Sequence, residues 1–161
     1  MSTPAKRRLL KDFNEIQKVN CIGIFAQPLE EDLLTWTAII LGPDNTPFEN
    51  GTFSLVLTFD EGYPQHPPEV TFVSEMFHPN IYPNGDLCLD ILKSRWSPSY
   101  DVQGILLSIQ SLLNDPNTKS PANPEAAKLF QESLEEYKKR VKACVEGSWT
   151  DIDRLVKSIE E

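Results

Sequence analysis

Between residues 22 and 73, four short apolar stretches alternate with chain breakers, and this pattern restricts the fold more than any other feature of the chain. The stretches are 22–27, 33–41, 53–59 and 69–73, divided by Pro28, Gly42-Pro43, Glu49-Asn50-Gly51 and the proline-rich run from Tyr63 to Pro68. Each is of strand length, and each break is turn chemistry rather than the continuation of a helix. Neighbouring strands joined by such short connections have no room for the crossover helices that parallel pairing requires. An antiparallel meander of four strands follows, one face of which must be covered by helix.

The flanking sequence supplies the helices. Leu9, Leu10, Phe13 and Ile16 recur at helical spacing within residues 4–19, with Thr3 as a cap and Pro4 in the first turn. Val102, Ile105, Ile109, Leu112 and Leu113 predict a second helix, capped by Asp101 and stopped at Asn114-Asp115-Pro116. A third is expected from the Asn123 cap and Pro124 through Ala127, Phe130, Leu134, Tyr137 and Val141, ending at Gly147, with Glu135–Lys139 and Glu136–Arg140 pairs on its wet face. Ser148 to Asp151 reads as a capping box for a short final helix carrying Trp149, Ile152, Leu155, Val156 and Ile159. The fold class is α+β. With 161 residues the chain fits one domain, its main body over 1–149 and a short helical extension over 150–161.

Charge narrows the function classes. The formal net charge of −9 opposes broad binding to nucleic acid, which needs clustered cations. The distribution is uneven, however: residues 1–20 carry +3, leaving −12 on the remainder. Lys6, Arg7, Arg8 and Lys11 crowd the amino end of a predicted helix, where the helix dipole disfavours positive charge, so a partner-binding role competes with a merely solvated face. The opening segment has basic residues without an apolar core behind them, and no later run reaches membrane-span length, so a soluble cytoplasmic and nuclear chain is expected. Cys21, Cys88 and Cys144 are odd in number and widely spaced, which fits reduced thiols and neither a disulfide framework nor a zinc site.

Residues 74–100 hold no periodic pattern but are rich in rigid residues, among them Pro79, Pro83, Asn84-Gly85, Trp96 and Pro98. A long loop so constituted is expected to be ordered and functional. Cys88 lies in its middle, just after the Asn-Gly turn. As residue types go, all three cysteines can serve as small buried hydrophobes, and Cys21 and Cys144 sit beside apolar neighbours in predicted elements. Cys88 differs in being bracketed by His78-Pro79-Asn80 and Trp96-Ser97-Pro98.

In order and spacing, His78-Pro79-Asn80, Gly85, Cys88-Leu89-Asp90-Ile91 and Trp96-Ser97-Pro98 resemble the active-site signature of ubiquitin-conjugating enzymes. Gly42-Pro43, Thr46-Pro47-Phe48, Gly51, Tyr63-Pro64 and Pro67-Pro68 extend the resemblance over about residues 4–149. The resemblance implies the UBC fold, with Cys88 carrying ubiquitin as a thioester received from an activating enzyme and passed to a lysine. Sulfur suits both halves, as thiolate nucleophile and as leaving group. No bound cofactor is implied, ATP being consumed upstream by the activating enzyme, and the chain has no phosphate-binding glycine loop.

Both acyl transfers pass through an oxyanion that wants a donor. The family assigns this to the asparagine matching Asn80; pinning of the loop through backbone hydrogen bonds is the equal alternative. The resemblance gives His78 a structural part rather than that of a base to the thiol; His66, between Gln65 and Pro67, is expected to be exposed. Tyr82, Asp90 and Ser120 are the expected lining of the lysine entrance, with Asp90 orienting the amine, whose charge must be suppressed. Ser120 stands where many members carry an acid; a phosphate there would supply the missing charge.

The family also implies one surface shared by activating enzyme and RING-type ligase: here Lys6, Arg7, Arg8 and Lys11 from the first helix, Gln65 and Pro67 from one loop, and Ser97, Pro98 and Ser99 from another. The segments STPAKRRLLKDFN, MFHPN, RWSPSYDV and SPAN are most similar to the DNA-repair and histone-ubiquitylating (Rad six) type. Asn20-Cys21-Ile22-Gly23 and the tail beyond Trp149 depart from it. The competing readings are conjugation of another ubiquitin-like modifier and a non-catalytic ubiquitin-binding module.

Overall fold

A computed structural model describes residues 2–18 and 23–160, with the side chains of 151–160 excepted. Cys21 and the start of the first expected strand lie outside the described residues. Helix α1 (Pro4–Lys18) leads into strands β1 (Ile24–Pro28), β2 (Thr35–Leu41), β3 (Thr52–Thr58) and β4 (Glu69–Phe72). A 3-10 turn at Asp90–Leu92 follows within the long loop, then helices α2 (Val102–Asn114), α3 (Pro124–Glu132) and α4 (Leu134–Glu160).

The four strands form one antiparallel sheet in chain order, as the short connections require. Its register puts Trp36 opposite Leu57, Ala38 opposite Leu55 and Ile40 opposite Phe53. It also sets Leu55 against Phe72 and Leu57 against Val70. These rows are buried, so the alternate positions of β2, β3 and β4 form one continuous apolar face. Ile105, Leu106, Ile109 and Leu113 of α2 and Ala5, Leu9 and Ile16 of α1 complete the same core. Thr3 caps α1 as expected, its Oγ1 accepting from Lys6 N at 3.3 Å and its carbonyl from Arg7 N at 2.9 Å. Asp101 caps α2 through Gly104 N, and Asn123 caps α3 through Ala126 N.

The carboxy-terminal helices differ from expectation in two ways. The helix begun at Pro124 breaks at Ser133, an extended residue with φ −148° and ψ 76°, and α4 starts at Leu134. Conversely, Gly147 ends nothing: the helix runs through it to Glu160. Ser148, expected to cap a new helix, is fully buried inside α4. Its hydroxyl donates to Val145 O at 2.6 Å and accepts from Thr52 N at 3.0 Å, fastening α4 to the start of β3. That tertiary anchor spans the glycine and outweighs its helix penalty of about 1 kcal/mol. The expected Glu135–Lys139 and Glu136–Arg140 pairs are replaced by Lys139 with Glu136 at 3.3 Å and Arg140 with Glu125 at 2.6 Å, the latter joining α4 to α3. Among the described residues, no helix is long and apolar enough to cross a membrane.

Candidate functional site

The loop after β4 does not wander; it is stitched onto the sheet edge and then onto the helices. Phe72 N donates to Gly85 O at 2.9 Å, Tyr82 N to Asp86 O at 2.9 Å, and Gly85 N to Tyr82 O at 2.8 Å, closing a tight turn around Asn84-Gly85. Gly85 has φ +97°, and a Cβ there would stand 2.2 Å from Phe72 O, so glycine is required on both counts. Bridges Thr71 to Asp86 and Ile81 to Leu87 continue the pairing. Cys88 emerges directly from this turn, half-buried, its backbone N donating to Asn80 O at 2.9 Å.

His78, Pro79 and Asn80 are all buried, and they fasten in turn the end of α2, the entry to α3 and the connection between the two helices. His78 Nε2 donates to Leu112 O near the end of α2 at 2.7 Å, while Nδ1 accepts from Asn80 N at 3.0 Å. Burial pushes its pKa down to about 4, so the ring is neutral at physiological pH. With both nitrogens committed, it has none to offer a thiol. Pro79 O accepts from Ala122 N at 2.8 Å and from Asn123 N at 3.0 Å, tying down the entry to α3. The Asn80 side chain is gripped twice by one residue: Nδ2 donates to Asn117 O and Oδ1 accepts from Asn117 N, both at 2.7 Å. This is the loop-pinning arrangement. Asn117 was not legible as a site residue; its only sequence signal is its place in the Asn114-Asp115-Pro116-Asn117 turn.

The remaining entrance residues are more open. Tyr82 is exposed. Asp90 opens the 3-10 turn, with its side chain 59% exposed and its Oδ2 3.6 Å from Arg95 Nε. Ser120 is exposed on the span between the two anchors at Asn117 and Ala122. Between the 3-10 turn and α2 runs a groove of about 370 Å³, lined by Leu89, Asp90 and Ile91 on one side and Leu107, Ser108, Ser111, Leu112 and Asp115 on the other. It begins at the residue after Cys88. Cys144, by contrast, is buried in α4, and burial raises its thiol to about 11. His66 is exposed, 3.3 Å from Asp60.

The residues expected on the partner surface come from three segments that the structure brings together. Arg7 and Lys11 are exposed and Lys6 is half-buried on α1. Gln65 is exposed beside half-buried Pro67, and Ser97 and Ser99 pair through their hydroxyls at 2.8 Å around exposed Pro98. Arg8 is half-buried on the same helix, its guanidinium committed within the chain, with Nε on Asp12 Oδ1, Nη1 on Pro98 O and Nη2 on Tyr100 O, each at 2.9 Å. Among the described residues, no group of three His, Cys, Asp or Glu side chains is placed to hold a metal ion.

Comparison with known proteins gives a consistent picture. The family model described as ubiquitin-conjugating enzyme matches residues 8–145. The chain is 59% identical over 161 residues to a "Ubiquitin-conjugating enzyme E2 2" of Mycosarcoma maydis, covering 100% of this chain and 87% of that relative. Proteins of the same description from Debaryomyces hansenii, 59% identical over 95% of this chain and 91% of the relative, and from Yarrowia lipolytica, 59% identical over 94% of this chain and 100% of the relative, are similar to it as well.

Proposed function

The chain belongs to the ubiquitin-conjugating enzyme family, whose members are cysteine-thioester transferases working with ubiquitin, an activating enzyme and a ligase, and from that premise we propose that Cys88 is the acyl-carrying cysteine. The observation that carries this reading is the placement of Cys88: half-buried, its backbone held by Asn80 O, and followed in the chain by Leu89, the first residue lining the groove along α2, whereas Cys144 is buried in a helix. An extended carboxy-terminal tail laid in that groove brings its terminal carbonyl to the sulfur.

In the first step the Cys88 sulfur bonds to the acyl carbon as the bond to the activating enzyme's sulfur breaks, the proton passing to the departing thiolate. In the second, a lysine amine attacks, the amide forms, and Cys88 leaves as thiolate while the amine sheds its proton to solvent or to a nearby carboxylate. Asp90, exposed beside the groove, is the candidate to orient that amine. Tyr82 and Ser120 border the approach, and phosphorylation of Ser120 would add charge to it. The commitment of both His78 nitrogens keeps its ring from acting as a base on the thioester, which guards against hydrolysis. Asn80 acts by holding the loop, its Nδ2 spending one hydrogen on Asn117 O and keeping the second as the donor for an oxyanion. No cofactor is bound in this scheme; the free energy comes from ATP at the activating enzyme.

The finer assignment rests on sequence likeness to the Rad six type: a RING-type ligase, acceptor lysines on histones, a part in DNA repair, and work in nucleus and cytoplasm. Incubation with ubiquitin, activating enzyme and ATP tests the core of it. A reductant-sensitive adduct is expected that vanishes in Cys88→Ala and persists in Cys144→Ala. An adduct that survives Cys88→Ala would end the proposal, and charging by a different modifier alone would move the chain to another branch.

A further inference from the structure

Asp12 is a carboxylate on α1 that is only 3% exposed and accepts three hydrogen bonds from three directions. Arg8 Nε reaches Oδ1 at 2.9 Å, while Tyr63 OH at 2.5 Å and Val102 N at 3.3 Å share Oδ2. Arg8 neutralises it, and the far side of the same guanidinium takes the carbonyls of Pro98 and Tyr100. The Arg8 guanidinium also lies 5.5 Å from the centre of the Tyr63 ring. Burial and the Asp12 charge hold Tyr63 far above its usual pKa, so it remains a donor. One ion pair thus joins α1, the turn at Tyr63, the loop of Ser97 to Tyr100 and the first residue of α2.

Three of these are the segments that the family resemblance assigns to the activating enzyme and ligase of the proposed function. The Ser97–Ser99 loop spends its side chains on itself, through the 2.8 Å hydroxyl pair and the 3.2 Å bond from Ser99 N to Ser97 Oγ. Among the described residues, its hydrogen bonds to α1 are those of Arg8. A planar fork holds the carboxylate and the two carbonyls from three separate nitrogens; an ammonium sends its three donors from one point on a flexible stem and does not reproduce that spacing. We infer that Arg8 is a positioning residue that sets the Ser97–Ser99 loop against α1 for the partners, rather than a charge that meets them. The inference rests on the partner surface of the proposed function but assigns Arg8 the opposite face of it.

The test is thioester formation by the full chain at varied concentration, with activating enzyme, ubiquitin and ATP fixed, for wild type, Arg8→Ala and Arg8→Lys. Arg8→Lys keeps a counter-charge for Asp12 and so guards against loss of the fold. The expected result is a KM raised by about tenfold in both variants with kcat within about twofold, because the docked complex reacts as before. A Lys variant equal to wild type would overturn the inference, since charge alone would then suffice; so would a fall in kcat as large as the rise in KM. If wild type itself does not charge, the proposed function fails, and amide exchange reads the inference separately: protection at residues 97–101 should fall in Arg8→Lys, and unchanged protection overturns it.

Discussion

The loop that presents Cys88 and the loop that presents Ser97 to Ser99 are both fastened to helices, but by opposite chemistry. The first is held by neutral groups: the His78 ring takes the end of α2, the Pro79 carbonyl the entry to α3, and the Asn80 carboxamide the connection between them. The second is held by a nearly buried charge pair, Arg8 with Asp12. Neutral fastening adds no base or charge of its own beside the acyl group, and leaves the charge at the lysine entrance to Asp90, so it suits the first loop. The second loop does no chemistry, and a charged fork gives it one fixed orientation at a cost in desolvation. Rigidity is common to both; the permitted charge differs.

The largest break in this comparison should come from Asp12→Ala. It strands the Arg8 guanidinium, the Tyr63 hydroxyl and Val102 N together, with an expected loss of about 4 kcal/mol in urea unfolding. A loss no larger than that of an average surface substitution would show that the ion pair does not hold the second loop.

Acid should single out the first loop. His78 is held neutral with a pKa of about 4 against an ordinary 6.5. Burial disfavours the charged ring, and protonation would also remove the Nδ1 acceptor used by Asn80 N, so the folded state resists it. The unfolded chain therefore binds the extra proton first, and the stabilisation is complete above pH 6.5 and drains away as pH falls toward 4, by about 3 kcal/mol in all. His78→Gln can still donate and accept but cannot titrate. The gap in stability between wild type and this variant should shrink across that window; a constant gap would mean the ring is not held neutral.

Asn80→Ala separates the two parts considered for that residue. Loss of both bonds to Asn117 should cost about 1–2 kcal/mol and raise amide exchange through residues 115–120. A donor used only for an oxyanion would leave stability and exchange alone while slowing discharge about a hundredfold.

The sequence pattern was legible wherever the determinant is local. Each strand is delimited by its own turn residues, and Thr3, Asp101 and Asn123 cap the helices where capping chemistry predicts. It misled where a distant contact decides. Gly147 reads as a stop, yet Ser148 is fastened to Thr52, 96 residues away, and the helix continues. The break at Ser133 has no glycine or proline to announce it. In the site, the bracketed cysteine stood out because its neighbours are contiguous, whereas Asn117 and the Arg8–Asp12–Tyr63 cluster join residues 37 and 51 positions apart. Arg8 on a basic helix face is indistinguishable in sequence from exposed Arg7.

The smallest effect should come from the other arginine–carboxylate pair, and it isolates what burial contributes. Arg140 and Glu125 approach to 2.6 Å, closer than Arg8 and Asp12, but their side chains are 48% and 63% exposed. Distance alone would rank this pair first. Water, however, solvates both partners before and after folding, and screening leaves an exposed pair within about 1 kcal/mol. Arg140 also lies 4.3 Å over the Phe77 ring, so its truncation would mix packing with charge. Glu125→Gln removes the charge alone and should shift stability by about 0.5 kcal/mol, diminishing further with added salt. A cost comparable to that of Asp12→Ala would show that contact distance, not enclosure, sets the strength of these pairs.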